Sequence, residues 1–494
     1  MDETTTTDDT GTVGRDPATG GSRALGLLRN PLHVFLVLGV LAGVYLACVV
    51  PHFGGVDETA HFYRSYQIST GQFVPEKPAG SQFSGACIPV DVVLSVDRDA
   101  FVYYGHLISL QGKHLPADAP GPTAADVKRC AGDPSTGFVS FSTFGSPVPY
   151  IPQATAILIA RKAGLGADGM LIAGRFAALV VYLLLVALAI KRAPRAKWAF
   201  VATGLLPAAI MQASSSISHD AMTTALVLLV VSSALRAADP PEGTRFRNTV
   251  IEAVVLGVLL GSCKPGYAAV AVLYLLPLFG HLPDGVRRAQ VVRERWPLVL
   301  GPIAAVITTA GWNAAVGDLW RTDADYFGIQ TRPKVQKHQL VHAPWDFATD
   351  MVRTIWNEIL GWIKSLADVG PSVTHWGWVI AFLVAAVYAV NALQRDGDEP
   401  TAVPIAQRLL AFVAGAGALV VILAGSYVYY TEPGNSVITG LHPRYLVPLT
   451  VLVPLIVGPL RFRWANAAKA RVPLAALLAL VVVFFCVSLT FRMY

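Results

Sequence analysis

The chain has 494 residues; 54% are hydrophobic, only 14% are Asp, Glu, Lys or Arg, and the mean hydropathy is +0.52. Soluble domains carry about 25% charged residues, so this balance excludes an ordinary soluble fold and indicates a polytopic membrane protein. The net charge of +6, from 38 basic and 32 acidic residues, reports loop orientation in such a chain and gives no ground for nucleic-acid binding.

Residues 1–30 are polar and rich in Thr and Gly. They lack the basic start and apolar core of a signal peptide and read as a disordered cytoplasmic tail. Residues 31–494 form the membrane domain. Apolar runs near 32–51, 168–190, 198–217, 220–237, 249–263, 266–281, 297–316, 374–392, 408–428, 444–460 and 472–490 predict an all-α integral membrane protein with about 11 transmembrane helices. A long loop, 52–145, follows the first run, and a second, 318–373, follows the seventh.

The stretch "SPVPYIPQATAILIARKA" (146–163) is apolar but short, with Pro147, Pro149 and Pro152 near its start. Four basic clusters decide how it lies: Lys191 to Lys197; Arg236, Arg245 and Arg247; Arg287 to Arg295; and Arg461 to Arg471. They share one side only if 146–163 does not cross, and basic short loops stay cytoplasmic. The expected topology has the N-terminus inside, the C-terminus outside, and 146–163 as a re-entrant or juxtamembrane helix. Both long loops are then extracytoplasmic.

Four polar segments collect on that outer face. The first, "FGGVDETAHFYRSYQISTG" (53–71), places Asp57, His61 and Arg64 on one helical face, with Glu58 beside Asp57. Asp57 reads either as an N-cap or as a general base toward an acceptor hydroxyl. The second, "MQASSSISHDAMTTALVLLV", interrupts two apolar runs with His219 and Asp220. Asp220 is either a cap or a second acid that positions an acceptor or holds a divalent cation.

The third, "SCKPGYAAV", carries Lys264, which either snorkels or meets a lipid phosphate as a point charge. The fourth, "YVYYTEPGNSVITGLHPRYLVPL" (427–449), carries Arg444 and Tyr445 where the tenth run enters the membrane. Arg444 is a headgroup-level anchor or a bidentate phosphate fork. Glu432 and His442 are weaker candidates in the same loop.

Elsewhere, "WNEILGWIKS" (356–365) reads as an amphipathic helix in the outer interface. Cys48, Cys263 and Cys486 lie in apolar runs and read as packing residues. Cys87 and Cys130 share the first long loop and are a candidate disulfide if that loop is outside the cytoplasm. No Walker loop, dinucleotide glycine pattern, zinc spacing or nucleophile elbow is present, so chemistry driven by soluble ATP lacks support.

Taken in order, "VDETAHFYRSYQIS", "YIPQATAI", "GRFAAL", "SSSISHDAMTTAL", "KPGY" and the 427–449 segment resemble domain-of-unknown-function family 2142, bacterial polytopic membrane proteins. The resemblance runs from about residue 30 to the C-terminal end, with His442-Pro443 where the family commonly has Gln-Gly. That family looks like the GT-C membrane glycosyltransferase superfamily. The superfamily carries one acid in its first long outer loop, a second in the next, and typically uses polyprenyl-phosphate sugars. Asp57 matches the first acid and Asp220 the second.

The resemblance implies a multi-pass enzyme of the bacterial plasma membrane, with its active site on the extracytoplasmic face. A sugar would pass from a polyprenyl-phosphate donor to a cell-wall or lipid glycan acceptor, without a required cofactor. Asp57 would act as base, supported by Glu58 or His61, with Asp220 and His219 as the second acid group. Arg444, Lys264, Arg64 and Tyr445 would meet the donor phosphate. The alternative is a transporter or flippase of a lipid-linked glycan, which needs a polar path. Arg175 is the chief ionisable residue within the predicted spans. A third reading is a non-catalytic assembly partner of envelope enzymes.

Overall fold

A computed structural model describes residues 28–78, 83–110, 121–141, 145–238, 244–280, 287–319, 324–326, 329–366, 376–393, 404–457 and 467–493. Most of the tail expected at 1–30 lies outside these residues, as do Arg321, Arg461 and Arg463. Among the described residues six helices are long and apolar enough to cross a membrane, and the protein is a multi-pass membrane protein.

The first, α1 (Pro31–Val49), starts where Pro31 is pre-set for helix and the Asn30 side chain accepts from Leu32 N at 2.9 Å. The chain then turns into α2 (Glu58–Ser69), which packs on residues 151–162 and on the strand that follows it. Three short strands, β1 (Gly85–Pro89), β2 (Arg129–Cys130) and β3 (Asp133–Ser140), form an antiparallel sheet ordered β1-β3-β2. The helix α3 (Val90–Leu110) leaves β1 directly, and a buried cluster joins Phe62, Tyr63 and Tyr66 to Ile88, Val93 and Val139. The membrane-spanning part is helical as expected. This sheet is an addition that the short, Gly- and Pro-containing strands did not reveal.

Residues 146–163 fold as a 3-10 turn, Val148–Tyr150, followed by α4 (Ile151–Lys162). Its 12 residues reach only about 18 Å, against about 30 Å for a hydrocarbon core. The helix α5 (Ala167–Arg192) is a full-length apolar helix packed on α1.

The run 198–217, expected as one span, is broken. It forms α6 (Lys197–Gly204) and α7 (Pro207–Ser215), because Pro207 forces Leu206 into an extended conformation (ψ 138°). The next helix, α8 (His219–Ala238), is buried on nearly all sides and forms the centre of the bundle. Its first residues are His219 and Asp220, so polar groups open the most enclosed helix.

Against α8 pack α9 (Thr244–Gly261) and two 3-10 segments, Pro265–Phe279 and Pro443–Leu452, the second continuing as Val453–Val457, while α10 (Arg288–Val316) packs on α9 and on the first of these segments. A 3-10 helix rises about 2.0 Å per residue. The 15-residue first segment is therefore about 30 Å long, which explains how so short a run matches a bilayer.

Two helices, α11 (Pro333–His342) and α12 (Pro344–Ser365), precede α13 (Trp376–Leu393), α14 (Ile405–Tyr430) and α15 (Ala467–Met493). The "WNEILGWIKS" stretch is the second half of α12, which presents Trp345, Trp356 and Leu360 outward at 82%, 83% and 64% exposure. That exposed apolar face is what an amphipathic helix presents.

Candidate functional site

The site is built where four helix starts meet. Asp57 immediately precedes α2, Asp220 lies in the first turn of α8, Lys264 precedes Pro265–Phe279, and Arg444 lies in the first turn of Pro443–Leu452. Helix starts carry partial positive charge and unpaired N–H groups, so carboxylates are favoured there. The starts of α2 and of both 3-10 segments receive no side-chain cap.

Arg444 ties the acids together. Its Nη2 pairs with Asp57 Oδ2, and its Nε donates to Asp220 Oδ2 at 3.2 Å. Lys264 Nζ lies 2.5 Å from Asp220 Oδ1 and 3.4 Å from the centre of the Tyr445 ring. Tyr267 donates to the Tyr445 carbonyl at 2.6 Å, which fixes that ring's backbone. Two carboxylates and two cations thus balance in charge. Arg444 and Asp220 are buried, while the Asp57 side chain is half exposed.

Neither acid acts as a cap. Asp57 makes no capping bond; its backbone sits at φ 54° and its carboxylate turns to Arg444. At α8 the cap is Ser218, whose Oγ accepts from Asp220 N at 3.0 Å and leaves the Asp220 carboxylate for the cations. Both acids face cationic side chains, so the divalent-cation reading of this pair does not fit.

Burial pushes the Asp57 carboxyl up, but Arg444, His61 and His442 outweigh it and hold it below the usual carboxylate range.

A second string of polar groups runs behind the acids. His61 Nδ1 and His219 Nδ1 each lie 2.8 Å from the Tyr150 hydroxyl, and His219 Nε2 lies 3.6 Å from Asp220 Oδ1. Burial drives His61 down to about 4, against the pull of Asp57 and Asp220, so it is neutral at pH 7. The neighbouring backbone is strained: Phe53 and Ile217 have φ of 56° and 35°, and such outliers concentrate at functional sites.

Two expected site residues are placed elsewhere. Glu58 was expected beside Asp57 as a catalytic group. It points the other way, into a fully buried pair with Arg175, whose Nε and Nη2 reach its two oxygens at 2.8 and 2.6 Å. Consecutive helical residues diverge by about 100°, so one acid of the pair faces the site and the other faces the bundle. Arg64 was expected at the donor phosphate. It is buried and bound to Gln67, to the Phe73 carbonyl and to the Gly145 carbonyl at 2.6, 2.8 and 3.1 Å, holding the loop rather than the site.

Sequence reasoning assigned no role to Tyr150 or to Tyr267, although both lie in stretches that carry the family resemblance. A lone Tyr near an interface is common belt residue, so neither carried a signal by itself. In the first loop, Cys87 and Cys130 form a disulfide with Cα atoms 6.1 Å apart. Separately, His52, Asp99 and Asp168 gather at the surface, with a His52–Asp168 contact of 3.2 Å.

The chain matches the family model described as "Predicted membrane protein (DUF2142)" over residues 40–453, well over half its length. It belongs to the DUF2142 family. The matched span contains every DUF2142 residue of the site, from Asp57 to Tyr445. No curated protein and no solved structure matches this DUF2142 chain.

Proposed function

We propose that the protein is an integral-membrane glycosyltransferase. It moves a sugar from a polyprenyl-phosphate donor to a cell-wall or lipid glycan acceptor on the extracytoplasmic face of a bacterial plasma membrane. The observation that carries this reading is the convergence of Asp57, Asp220, Lys264 and Arg444, from four distant segments, in one ion-pair network at the ends of apolar helices. An acid-and-cation site at that level suits a substrate whose lipid lies in the bilayer and whose phosphate lies at its surface. The resemblance to GT-C enzymes supports the same reading.

The arrangement suggests how the donor arms the site. Arg444 is shared between Asp57 and Asp220, and Asp57 is its exposed partner. A phosphate arriving at Arg444 and Lys264 competes with Asp57, since Arg binds phosphate through the same charge-assisted fork. Asp57 is then released from the cation that holds it acidic, and it faces the acceptor as a stronger base. Lys264, Arg444 and the uncapped helix starts stabilise charge on the leaving phosphate. Asp220 stays to hold Lys264 in place. Direct displacement inverts the anomeric carbon and needs no soluble nucleotide.

Placement of α4 as a juxtamembrane helix, and of the disulfide-bearing loop in an oxidising compartment, belongs to this reading. So does the cytoplasmic N-terminus. The transport alternative loses support from Arg175, whose five N–H groups are all used by Glu58 and by the Ala47, Val50 and Pro51 carbonyls.

The test is sugar transfer from a panel of radiolabelled polyprenyl-phosphate donors by purified protein in nanodiscs. Transfer by wild type that is lost in a folded Asp57→Asn variant supports the enzyme and the role of Asp57 together. Donor binding without transfer by wild type would favour transport or an assembly role.

A further inference from the structure

We propose that His52, Asp99 and Asp168 bind one divalent transition-metal ion, of which Zn²⁺ fits best, and that the ion clamps the first loop to the start of α5. Such a site exists whether or not the protein transfers sugar.

The three side chains come from three separate segments. His52 follows the end of α1, Asp99 lies on α3, and Asp168 lies in the first turn of α5. A ring nitrogen of His52 and one oxygen of each carboxylate all lie within 4.8 Å of one another. His52 Nδ1 is 3.2 Å from Asp168 Oδ1 and 4.0 Å from Asp99 Oδ2.

Packing brings them together, so they are not surface side chains that merely meet. Arg175 lies two turns after Asp168 on the same face of α5, and its Nη2 donates to the Pro51 carbonyl at 2.8 Å. Tyr103 lies one turn after Asp99 on the same face of α3. Its ring packs on the backbone at Gly54, where an added Cβ would meet it at 3.1 Å. The turn around His52 is therefore held to α5 and to α3 at once.

What the cluster lacks is positive charge. Among the described residues neither carboxylate pairs with a Lys or Arg, and His52 is their common partner. The start of α5 favours a carboxylate at Asp168, but it does not account for a second acid brought against the first. Asp99 Oδ2 is also buried without a hydrogen-bond partner, and a buried acceptor is rarely left so. A divalent ion balances the two carboxylates and gives Asp99 Oδ2 a partner.

The donor set selects the ion. Ca²⁺ and Mg²⁺ take oxygen ligands, whereas one imidazole with two carboxylates suits Zn²⁺. Two ligands of a tetrahedral Zn²⁺ lie about 3.3 Å apart, and His52 and Asp168 are already at 3.2 Å. Rotation of the Asp99 side chain closes the remaining gap, and water completes the shell. The three side chains are between 37% and 54% exposed, which lets an ion enter from solvent. Once bound, it braces the turn that leads into Asp57.

The experiment uses the full chain in nanodiscs, stripped with chelator and titrated calorimetrically with Zn²⁺, Ca²⁺ or Mg²⁺. One Zn²⁺ per chain should bind, more tightly than either other ion, and should raise the melting temperature. Asp168→Asn and His52→Gln each remove a direct ligand. Each should weaken Zn²⁺ by more than the roughly 10–100-fold lost when a group that only supports a ligand is removed.

X-ray absorption at the zinc edge reads the ligands of the wild-type protein without any variant. It should show one imidazole and oxygen neighbours at about 2.0–2.2 Å. Two imidazoles would place the ion on the stacked His338–His342 pair, whose ring centres are 4.0 Å apart, and would overturn the assignment. A sulfur ligand would overturn it as well. So would the absence of saturable Zn²⁺ binding, or binding unchanged in both variants, which would leave His52 as a plain ion-pair partner of the two acids.

Discussion

Gly55 lies flat against the backbone of Ser215: a Cβ at Gly55 would sit 1.8 Å from the Ser215 carbonyl oxygen. Ser216 Oγ reinforces the contact by donating to the Val56 carbonyl at 3.3 Å. This contact joins the segment that carries Asp57 to the break that precedes Asp220. It holds the two acids at the spacing that one guanidinium bridges.

Replacing Gly55 by Ala therefore separates the two acid segments. The added methyl meets backbone, which cannot rotate away, so the cost should be about 1–3 kcal/mol. A displacement near 1 Å at a reacting group should also cost roughly 10²-fold in transfer rate. Thermal unfolding in nanodiscs with transfer kinetics checks both. A variant with wild-type stability and rate would show that Gly55 is not what sets the spacing.

Parts of this site were legible in the sequence because charges inside apolar runs are expensive. His219-Asp220, Lys264 and Arg444 each interrupt such a run, and all three join the network. Partners were not legible. Arg444 and Asp57 are 387 positions apart, and nothing local distinguishes a phosphate fork from an ion pair with an acid. Asp57 resembled a cap because Asp usually is one; its positive φ, in the turn that Gly55 makes against Ser215, removes it from that role. The choice between Asp57 and Glu58 depended on which side of α2 meets the bundle, and α2 is buried along nearly its whole length, so no polar face announced it. The break at Leu206 was visible as Pro207 but hidden by the unbroken apolar composition around it.

The Glu58–Arg175 pair gives a prediction that separates framework from chemistry. Arg175 binds Glu58 and also the Ala47, Val50 and Pro51 carbonyls at 3.0, 2.8 and 2.8 Å, closing the C-terminal end of α1. Arg175→Gln should cost about 3–5 kcal/mol, because it strands a buried carboxylate. Arg175→Lys should recover little of this, since an ammonium offers three donors without the planar fork. Thermal unfolding checks the order. If Arg175→Lys were as stable as wild type, charge alone would suffice and the capping role would fall.

The disulfide makes a prediction about the first loop. Cys87 lies on β1 and Cys130 on β2, the two strands that flank β3, and the bond closes 43 residues. Closing a loop of that length should contribute roughly 4 kcal/mol on a chain-entropy account. Reduction, or Cys87→Ser, should open the sheet to protease while the apolar helices stay intact. Free-thiol titration of the unfolded, unreduced protein should find Cys48, Cys263 and Cys486 alone. Five reactive thiols, or protease resistance unchanged on reduction, would count against the bond.

Acid should weaken the site before it weakens the helices. His61 is buried and driven from an ordinary value near 6.5 down to about 4, so the unfolded chain binds its proton first as pH falls. The stability from burying a neutral ring is fully present above about 6.5 and is lost progressively as pH falls toward 4, on the order of 3 kcal/mol in all. Asp57, held below the usual carboxylate range, adds a loss of the same sign at still lower pH. Melting temperature measured from pH 7.5 to pH 4 should fall in wild type. The fall should be clearly smaller in His61→Gln, whose amide cannot take up the proton. Parallel curves for the two proteins would mean that another group titrates in that window, and that His61 is not the neutral buried ring on which the site depends.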